Sequence, residues 1–427
     1  MPEGQVEYLS DPSPENLESA VAWNHRELFV LGARAAGGEA VETGDVTWTY
    51  SGPDGDSMIL FPQISDAEAG ARLDDFTEFY LCRQVNSLVG CWSLVPPQPR
   101  DLEVRLLARG FQIGWQPCWM WLDLQNLNLD HPRPEGLTVG LVDPDDIWDV
   151  DDLPYYRPEI MGSKLDLSRA RPQRYWRFGA WLDGMVVGHA SVFLTTGPLG
   201  VAGIYSVGVV PRARGQGVGK AVTGAACRHA SMLGCRYAML NGTGEKMYRQ
   251  LGFEKLGYGL TWWLNVPRLA ERRPTPERVA LTEAVGRGDP DEIASLLRRW
   301  DFGNLDVPLP NGMTLVQLAV HTGHSQSVEC LLDHGAALDV VSAWDLGWKD
   351  RVPRLLADRP DLANLLTGER EMTPLHTAVD RNDIELARVV LASHPDLTVQ
   401  DPEYHSTAEG WARYLGRTEI LRLIEAN

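Results

Sequence analysis

Between Arg214 and Lys220 three glycines alternate with other residues, directly behind the Val-rich run 205–210 and ahead of an Ala-rich stretch. Glycine lets the backbone approach a ligand closely and lets successive N–H groups point the same way. Where such a turn opens a helix, the positive end of the helix dipole adds to the attraction for an anion. The chemistry to expect is phosphate binding, and spacing narrows which phosphate. A nucleotide P-loop needs Gly-x-x-x-x-Gly-Lys-Ser/Thr, but Ala221 follows Gly219-Lys220 and Arg214 stands where the first glycine belongs. A dinucleotide fingerprint needs Gly-x-Gly-x-x-Gly, and counting from Gly215 or Gly217 the third glycine falls on Lys220 or Val222. What remains is Arg214-x-x-Gly217-x-Gly219 behind an apolar strand.

That arrangement resembles motif A of the GNAT acetyltransferases, whose ligand is the pyrophosphate of acetyl-coenzyme A. A second set of residues carries the same resemblance. After a helix at about 214–234 comes a strand at 237–241, then Met247-Tyr248 and Leu251-Gly252-Phe253, in the order and at the spacing of the GNAT strand, Tyr-bearing short helix and Leu-Gly-Phe turn. The resemblance implies that the Val207 and Val209 strand pairs with the pantetheine arm, and that Arg214, Gly215, Gln216, Gly217, Val218, Gly219 and Lys220 hold the pyrophosphate through their amides. It places Asn241 in the cofactor-binding set and Tyr248 beside the leaving thiolate as general acid. Read without the family, Tyr248 is a buried aromatic of a short helix. The implied reaction is direct attack of a neutral amine on acetyl-CoA, with sheet amides near Val207–Val209 polarising the carbonyl. Asp152, Glu159, Tyr205 and a water chain stand as acceptors for the proton that the amine must lose, and the sequence does not choose among them.

These residues need a sheet to position them. A strand from Leu137 follows the proline-bearing linker 131–135, with helical material expected to about 175 and strands near 177–183 and 185–194 before the motif strand and helix, which together make a mixed α/β sheet. From Gly184 to Val210 the one readily ionisable side chain is His189, a run long enough for a membrane span. Its break at 195–200 and the hairpin signal Asp183-Gly184 favour two buried strands instead. The segment 107–124 aligns without a gap on 249–266, bringing Gly110, Phe111, Trp121 and Leu122 onto Gly252, Phe253, Trp263 and Leu264. No Arg-x-x-Gly-x-Gly precedes the first copy, so residues 1–130 read as a degenerate GNAT-like half and 137–266 as the catalytic domain of a tandem GNAT protein. Trp92, Trp115, Trp119 and Trp121 read as core.

Past the charged, Pro-containing link 271–276, across which few contacts are expected, the pattern becomes a repeat. Thr373-Pro-Leu-His-Thr-Ala378 is the ankyrin turn and first-helix signature, and 311–319 with 328–336 is a second copy. Ala284, Ala319, Ala343, Ala378 and Ala412 recur near the ankyrin period of about 33 residues, except for a shorter step before Ala343 that implies a truncated loop. About five helix pairs are expected over 276–427, an all-α solenoid burying Leu and Val faces between neighbours. His376, His321 and His324 read as bracing residues.

The 427 residues carry 58 acidic against 39 basic side chains, a net charge of −19 that disfavours nucleic-acid binding and suits a cationic amine or partner. Asp143, Asp145, Asp146, Asp149, Asp151 and Asp152 form either a solvated helix face or a funnel for such an amine. The six scattered cysteines lack zinc or disulfide spacing, so no metal and buried free thiols are expected. The acidic N-terminus does not resemble a secretion signal, and the expectation is a cytoplasmic protein without membrane attachment. Three functions fit: an N-acetyltransferase for a small amine or peptide whose repeats recruit a protein partner, a CoA sensor acting through the repeats, and a self-resistance enzyme that inactivates an amine antibiotic or toxin.

Overall fold

The computed structural model describes residues 6–156 and 162–427. The chain divides into two compact units, Met1–Arg100 with Ile113–Val266, and Asp101–Gln112 with Pro267–Asn427. The strands are β1 (Glu39–Glu42), β2 (Thr47–Tyr50), β3 (Ser57–Leu60), β4 (Leu88–Leu94), β5 (Phe111–Ile113), β6 (Cys118–Asp123), β7 (Leu137–Leu141), β8 (Tyr175–Leu182), β9 (Met185–Leu194), β10 (Ala202–Val209), β11 (Tyr237–Gly242) and β12 (Glu254–Asn265). All but β5 follow the order β1-β2-β3-β4-β12-β6-β11-β10-β9-β8-β7 in one mixed sheet.

In that order the two aligned segments exchange strands. The aligned segments 107–124 and 249–266 end in β6 and β12, and the two strands cross over. β6, from the first copy, pairs antiparallel with β11 of the second, and β12 pairs antiparallel with β4 of the first. Each copy thus gives its last strand to the other, and the linear boundaries at 130, 137 and 266 do not mark separate sheets. The apolar run 184–210 is two strands, β9 and β10, joined by a turn, with Asp183 and Gly184 both at positive φ in the β8–β9 hairpin. Among the described residues, no helix is long and apolar enough to cross a membrane.

The helical stretch expected up to about 175 is met only in part. Residues 143–156 form turns, and the described helix in the stretch up to 175 is Gly162–Arg169. The cause is local: the Asp143 carboxylate accepts from the Asp145 amide, Asp146 N–H bonds to the Asp143 carbonyl, and Pro144 and Pro154 each lack a helix donor. The acidic run therefore sits on an irregular segment, where Asp145 pairs with Arg169. Cys82 is exposed, against the expectation of buried thiols, while Cys91, Cys118, Cys227 and Cys235 are buried.

Helix Pro14–Ala35 crosses the sheet and sets His25 into an aromatic box. Phe29, Phe61, Trp92, Trp119 and Tyr205 lie with ring centroids 4.5–5.8 Å from its imidazole. Neither ring nitrogen has a hydrogen-bond partner among the described residues, and the indole N–H groups of Trp92 and Trp119 are equally unpartnered. Burial pushes the imidazole down to about 3, so it stays neutral in the folded chain.

The second unit stacks helix pairs: Pro276–Arg287 with Pro290–Arg299, Leu315–His321 with Ser325–Asp333, Val340–Asp345 with Val352–Asp358, Pro374–Arg381 with Ile384–Leu391, and Ala408–Tyr414 with Thr418–Glu425. Thr275, Thr314, Thr373 and Thr407 each cap the first helix of a pair by accepting from the third residue on, which is what the threonine of the Thr-Pro-Leu-His signature does. The pair beginning at Val340 is capped by Asp339 instead and has the short connection that the alanine spacing implied. His376 braces the loop between Thr373 and Ser406, and His321 reaches Glu103.

The same unit includes helix Leu102–Ala108, which packs on Pro276–Arg287 with Leu107 in the shared core. Arg109, 4% exposed, meets Glu283 at 2.7 Å, and Glu283 also accepts from Arg287. The expectation that few contacts cross the 271–276 link therefore fails for 101–112: an amphipathic helix sequence carries no mark of which apolar surface it will cover.

Two outcomes follow from these buried polar groups. The unfolded chain protonates His25 below its ordinary value of 6.5 and the folded chain does not, so the His25 term in stability is absent at neutral pH and grows unfavourable as pH falls toward about 3. Between pH 7 and pH 5 the native chain should lose about 2 kcal/mol more than His25→Leu, read by urea unfolding at both pH values. Glu283→Ala should destabilise the repeat unit by about 3 kcal/mol, because it removes a carboxylate paired with a buried guanidinium. A melting transition within a degree of the native one would show that the pair is energetically idle.

Candidate functional site

The site begins where two parallel strands part. β10 and β11 are in register only at Ala202 with Ala238 and Gly203 with Met239, although β10 continues to Val209 and β11 to Gly242. On its other edge β10 loses register with β9 between Tyr205 and Gly208, and Ser206 at φ +52° marks the bulge. The diverging ends leave backbone groups facing a gap. β10 then leads through a turn at Pro211–Ala213 to Gly215 and Gly217, at φ +76° and +92°, a conformation open to glycine. Gly217 is the N-cap of helix Val218–Met232, with no side-chain cap and no acidic residue in the first turn. The N–H groups of Val218, Gly219 and Lys220 accordingly lack acceptors within the helix.

In front of these amides lies a cleft of about 790 Å³, lined by Val209, 213–220, the 132–134 segment and 243–250 residues including Met247 and Gln250. Its walls carry Arg133, Arg214, Lys220 and Lys246 and, among the described residues, no carboxylate. That is a cationic, donor-rich cleft on a chain of net charge −19. A Cβ on Gly217 would sit 2.4 Å from the Pro132 carbonyl oxygen, and one on Gly219 would sit 2.9 Å from the Met247 sulfur. Arg214 Nε donates to the Val209 carbonyl at 3.1 Å and Lys220 Nζ to Gln250 Oε1 at 3.1 Å, tying the turn to the strand end and to the short helix Glu245–Gln250.

Of the residues singled out by sequence, Val209, Arg214, Gly215, Gln216, Gly217, Val218, Gly219 and Lys220 come together around this cleft. Val207 and Asn241 lie on the diverging strands, half-buried, and do not line it. Tyr248 is also outside the lining. It is 7% exposed, with its ring edge-on to Phe253 and packed where Gly242 and Gly244 leave space. Burial, reinforced by Tyr155 and Cys227, raises its phenol above the ordinary value, so it is protonated at neutral pH. Sequence reasoning missed the linker at Pro132–Pro134 as a wall, and Lys246 with Gln250. The latter two stand one helical turn apart, a spacing that puts both on one face.

The candidates for proton acceptor separate. Tyr205 is a poor acceptor: its hydroxyl donates to Asn24 Oδ1 at 2.8 Å, and desolvation raises its pKa. Asp152 is exposed at φ +59°. Glu159 lies outside the described residues. His189, buried and hydrogen-bonded to the Pro154 carbonyl at 2.7 Å, is pushed down to about 4 by burial and stays neutral.

The first copy has the same parallel crossover, with opposite electrostatics. β3 and β4 stay in register over four positions, from Ser57 with Val89 to Leu60 with Trp92. The helix that follows, Asp66–Cys82, opens with Asp66 and Glu68, and Ser65 bonds to Glu68 at 2.6 Å. Carboxylates occupy the helix end that the second copy leaves open.

Residues 105–253 match the Acetyltransferase (GNAT) family and residues 281–401 match Ankyrin repeats (3 copies). Similar solved structures include a GCN5-related N-acetyltransferase from Kribbella flavida, 18% identical over 59% of this chain and 98% of that one, TM-score 0.43. A tandem GNAT protein from the clavulanic acid biosynthesis pathway is 16% identical over 61% of this chain and 99% of its own, TM-score 0.39. A conserved protein from Staphylococcus epidermidis, described as functionally unknown, is 14% identical over 53% and 94%, TM-score 0.40. None of the curated proteins compared matches the chain. On the two family matches, the chain carries a GNAT acetyltransferase domain and ankyrin repeats.

Proposed function

We propose that this protein binds acetyl-CoA with its pyrophosphate in the cleft before helix Val218–Met232 and transfers its acetyl group to a primary amine, with the repeats engaging a protein partner. One observation carries the reading: the open helix N-terminus faces a cleft walled by four cations and no carboxylate among the described residues, in a chain otherwise strongly acidic. A pyrophosphate fits that donor set, since amides and cations converge without a competing internal anion. The cosubstrate would bring an activated acyl thioester. The chain's own residues would do the rest: 214–220 amides and Lys220 hold the phosphates, and the edge of β10 from Val207 to Val209, unpaired to β11, orients the extended arm beside Asn241 on β11. Tyr248, kept protonated by burial, holds a proton for the departing sulfur. Free thiols at all six cysteines suit a reducing compartment such as the cytoplasm.

Gly219→Val separates cofactor binding from folding. Gly217 is at positive φ against the Pro132 backbone, so substitution there strains the loop itself, whereas a side chain at Gly219 meets the flexible Met247 and projects between it and Val209. Calorimetric titration of folded Gly219→Val with acetyl-CoA should show a loss on the order of tenfold or more in affinity. Undiminished affinity would remove the cleft as the site. For chemistry, Tyr248→Phe keeps the buried ring and deletes the proton. In a screen of amines that monitors CoA release, it should lower kcat by about 10²- to 10⁴-fold with little change in acetyl-CoA affinity. Equal turnover would reassign the proton to water or another residue.

A further inference from the structure

The last two repeats enclose a second cavity, of about 550 Å³, with a different chemistry. Its wall is Trp411, 7% exposed and held rigidly: the indole N–H donates to Asp401 at 2.9 Å and His376 stacks edge-on at 5.9 Å. Tyr404 meets the same ring at 5.7 Å, and Tyr404 and Tyr414 stand 61% and 91% exposed at the rim. Two large aromatics left in water around one cavity mark a surface that something else covers.

The chain itself shows what the cavity accepts. The Arg370 guanidinium lies over the Trp411 ring, 4.7 Å from its centroid, with Asp380 at 3.3 Å and Glu403 at 3.7 Å. An aromatic face flanked by two carboxylates is a seat for a planar cation. Arg370 fills it loosely. The contacts are long, the side chain is 42% exposed, and surface pairs of this kind hold weakly. With Arg370 swung out, the seat presents two carboxylates to a partner, on a chain of net charge −19.

We infer that this cavity is a docking site for an arginine-bearing basic segment of a protein partner, whose guanidinium displaces Arg370 from Trp411. The inference rests on the reading of the repeats as a protein-binding surface and is independent of acetyl transfer. Its occupant is chosen by charge and ring geometry; an acidic segment, pairing with Arg370 instead, is the outcome that overturns it.

The two differ in the sign of one effect. Full-length protein is titrated against a fluorescein-labelled peptide of alternating arginine and glycine and against its glutamate counterpart, by anisotropy. Arg370→Ala removes the internal competitor and should tighten the arginine peptide. Asp380→Asn with Glu403→Gln should weaken it, and Tyr414→Ala, at a site too exposed to matter for folding, should weaken it by about two- to fivefold. Unchanged melting temperature and acetyl-CoA affinity confirm that each variant is folded and that the effect is local. The proposal fails if the arginine peptide binds equally to every variant, as it would through diffuse acidity, or if the glutamate peptide binds and Arg370→Ala abolishes it.

Discussion

The gap between β10 and β11 depends on the seating of β6. One edge of β11 is committed to β6 along its whole length, from Tyr237 with Asp123 to Gly242 with Cys118, so β11 is held straight while β10 bulges at Ser206 and leaves it. Without β6, both edges of β11 beyond Met239 would lack a ladder, and unpaired backbone groups in a sheet interior are costly. The strand that keeps the gap open on the motif-bearing side therefore comes from the copy that has no phosphate cradle. β12 returns the arrangement by pairing with β4, which closes the other half of the sheet. The segment without the cradle thus supplies the strand beside β11.

The two crossovers show how one topology can take opposite roles. In both, a strand runs through a turn and a helix into a parallel neighbour. In the second copy the strands separate and the helix begins with Gly217-Val218-Gly219, leaving amides open. In the first the strands remain zipped, and Asp66 and Glu68 sit at the helix N-terminus, where a carboxylate is stabilised by the dipole and an incoming phosphate would be repelled. The fold supplies a place for an anion twice. Local sequence decides whether the anion belongs to the protein or to a ligand.

Much of this was legible because it is local. The Arg214–Lys220 turn, the β8–β9 hairpin and the threonine caps of the repeats are written in residues a few positions apart, where glycine conformation and capping act directly. The crossing of β6 and β12 was not, because both strands carry the same Trp-Leu signature and each would suit either neighbour. The Pro132–Pro134 segment read as a spacer because nothing in its composition says that Gly217 will need its backbone alongside. Residues 143–156 fell within the stretch read as helical, and the prolines with the Asp143 turn overrode that expectation.

The assignment of 101–112 to the repeat unit changes what the repeats are. The chain leaves the sheet unit after Arg100, returns at Ile113, and leaves again after Val266, so the two units are joined by three passages of backbone. A cut in the 271–276 link breaks none of these; it removes instead the helices against which Leu107 and Arg109 are buried. The helix that carries Arg109 lies directly before β5 and β6 in the chain. The repeat unit therefore takes part of its core from a segment that lies, in sequence, between β4 and β6.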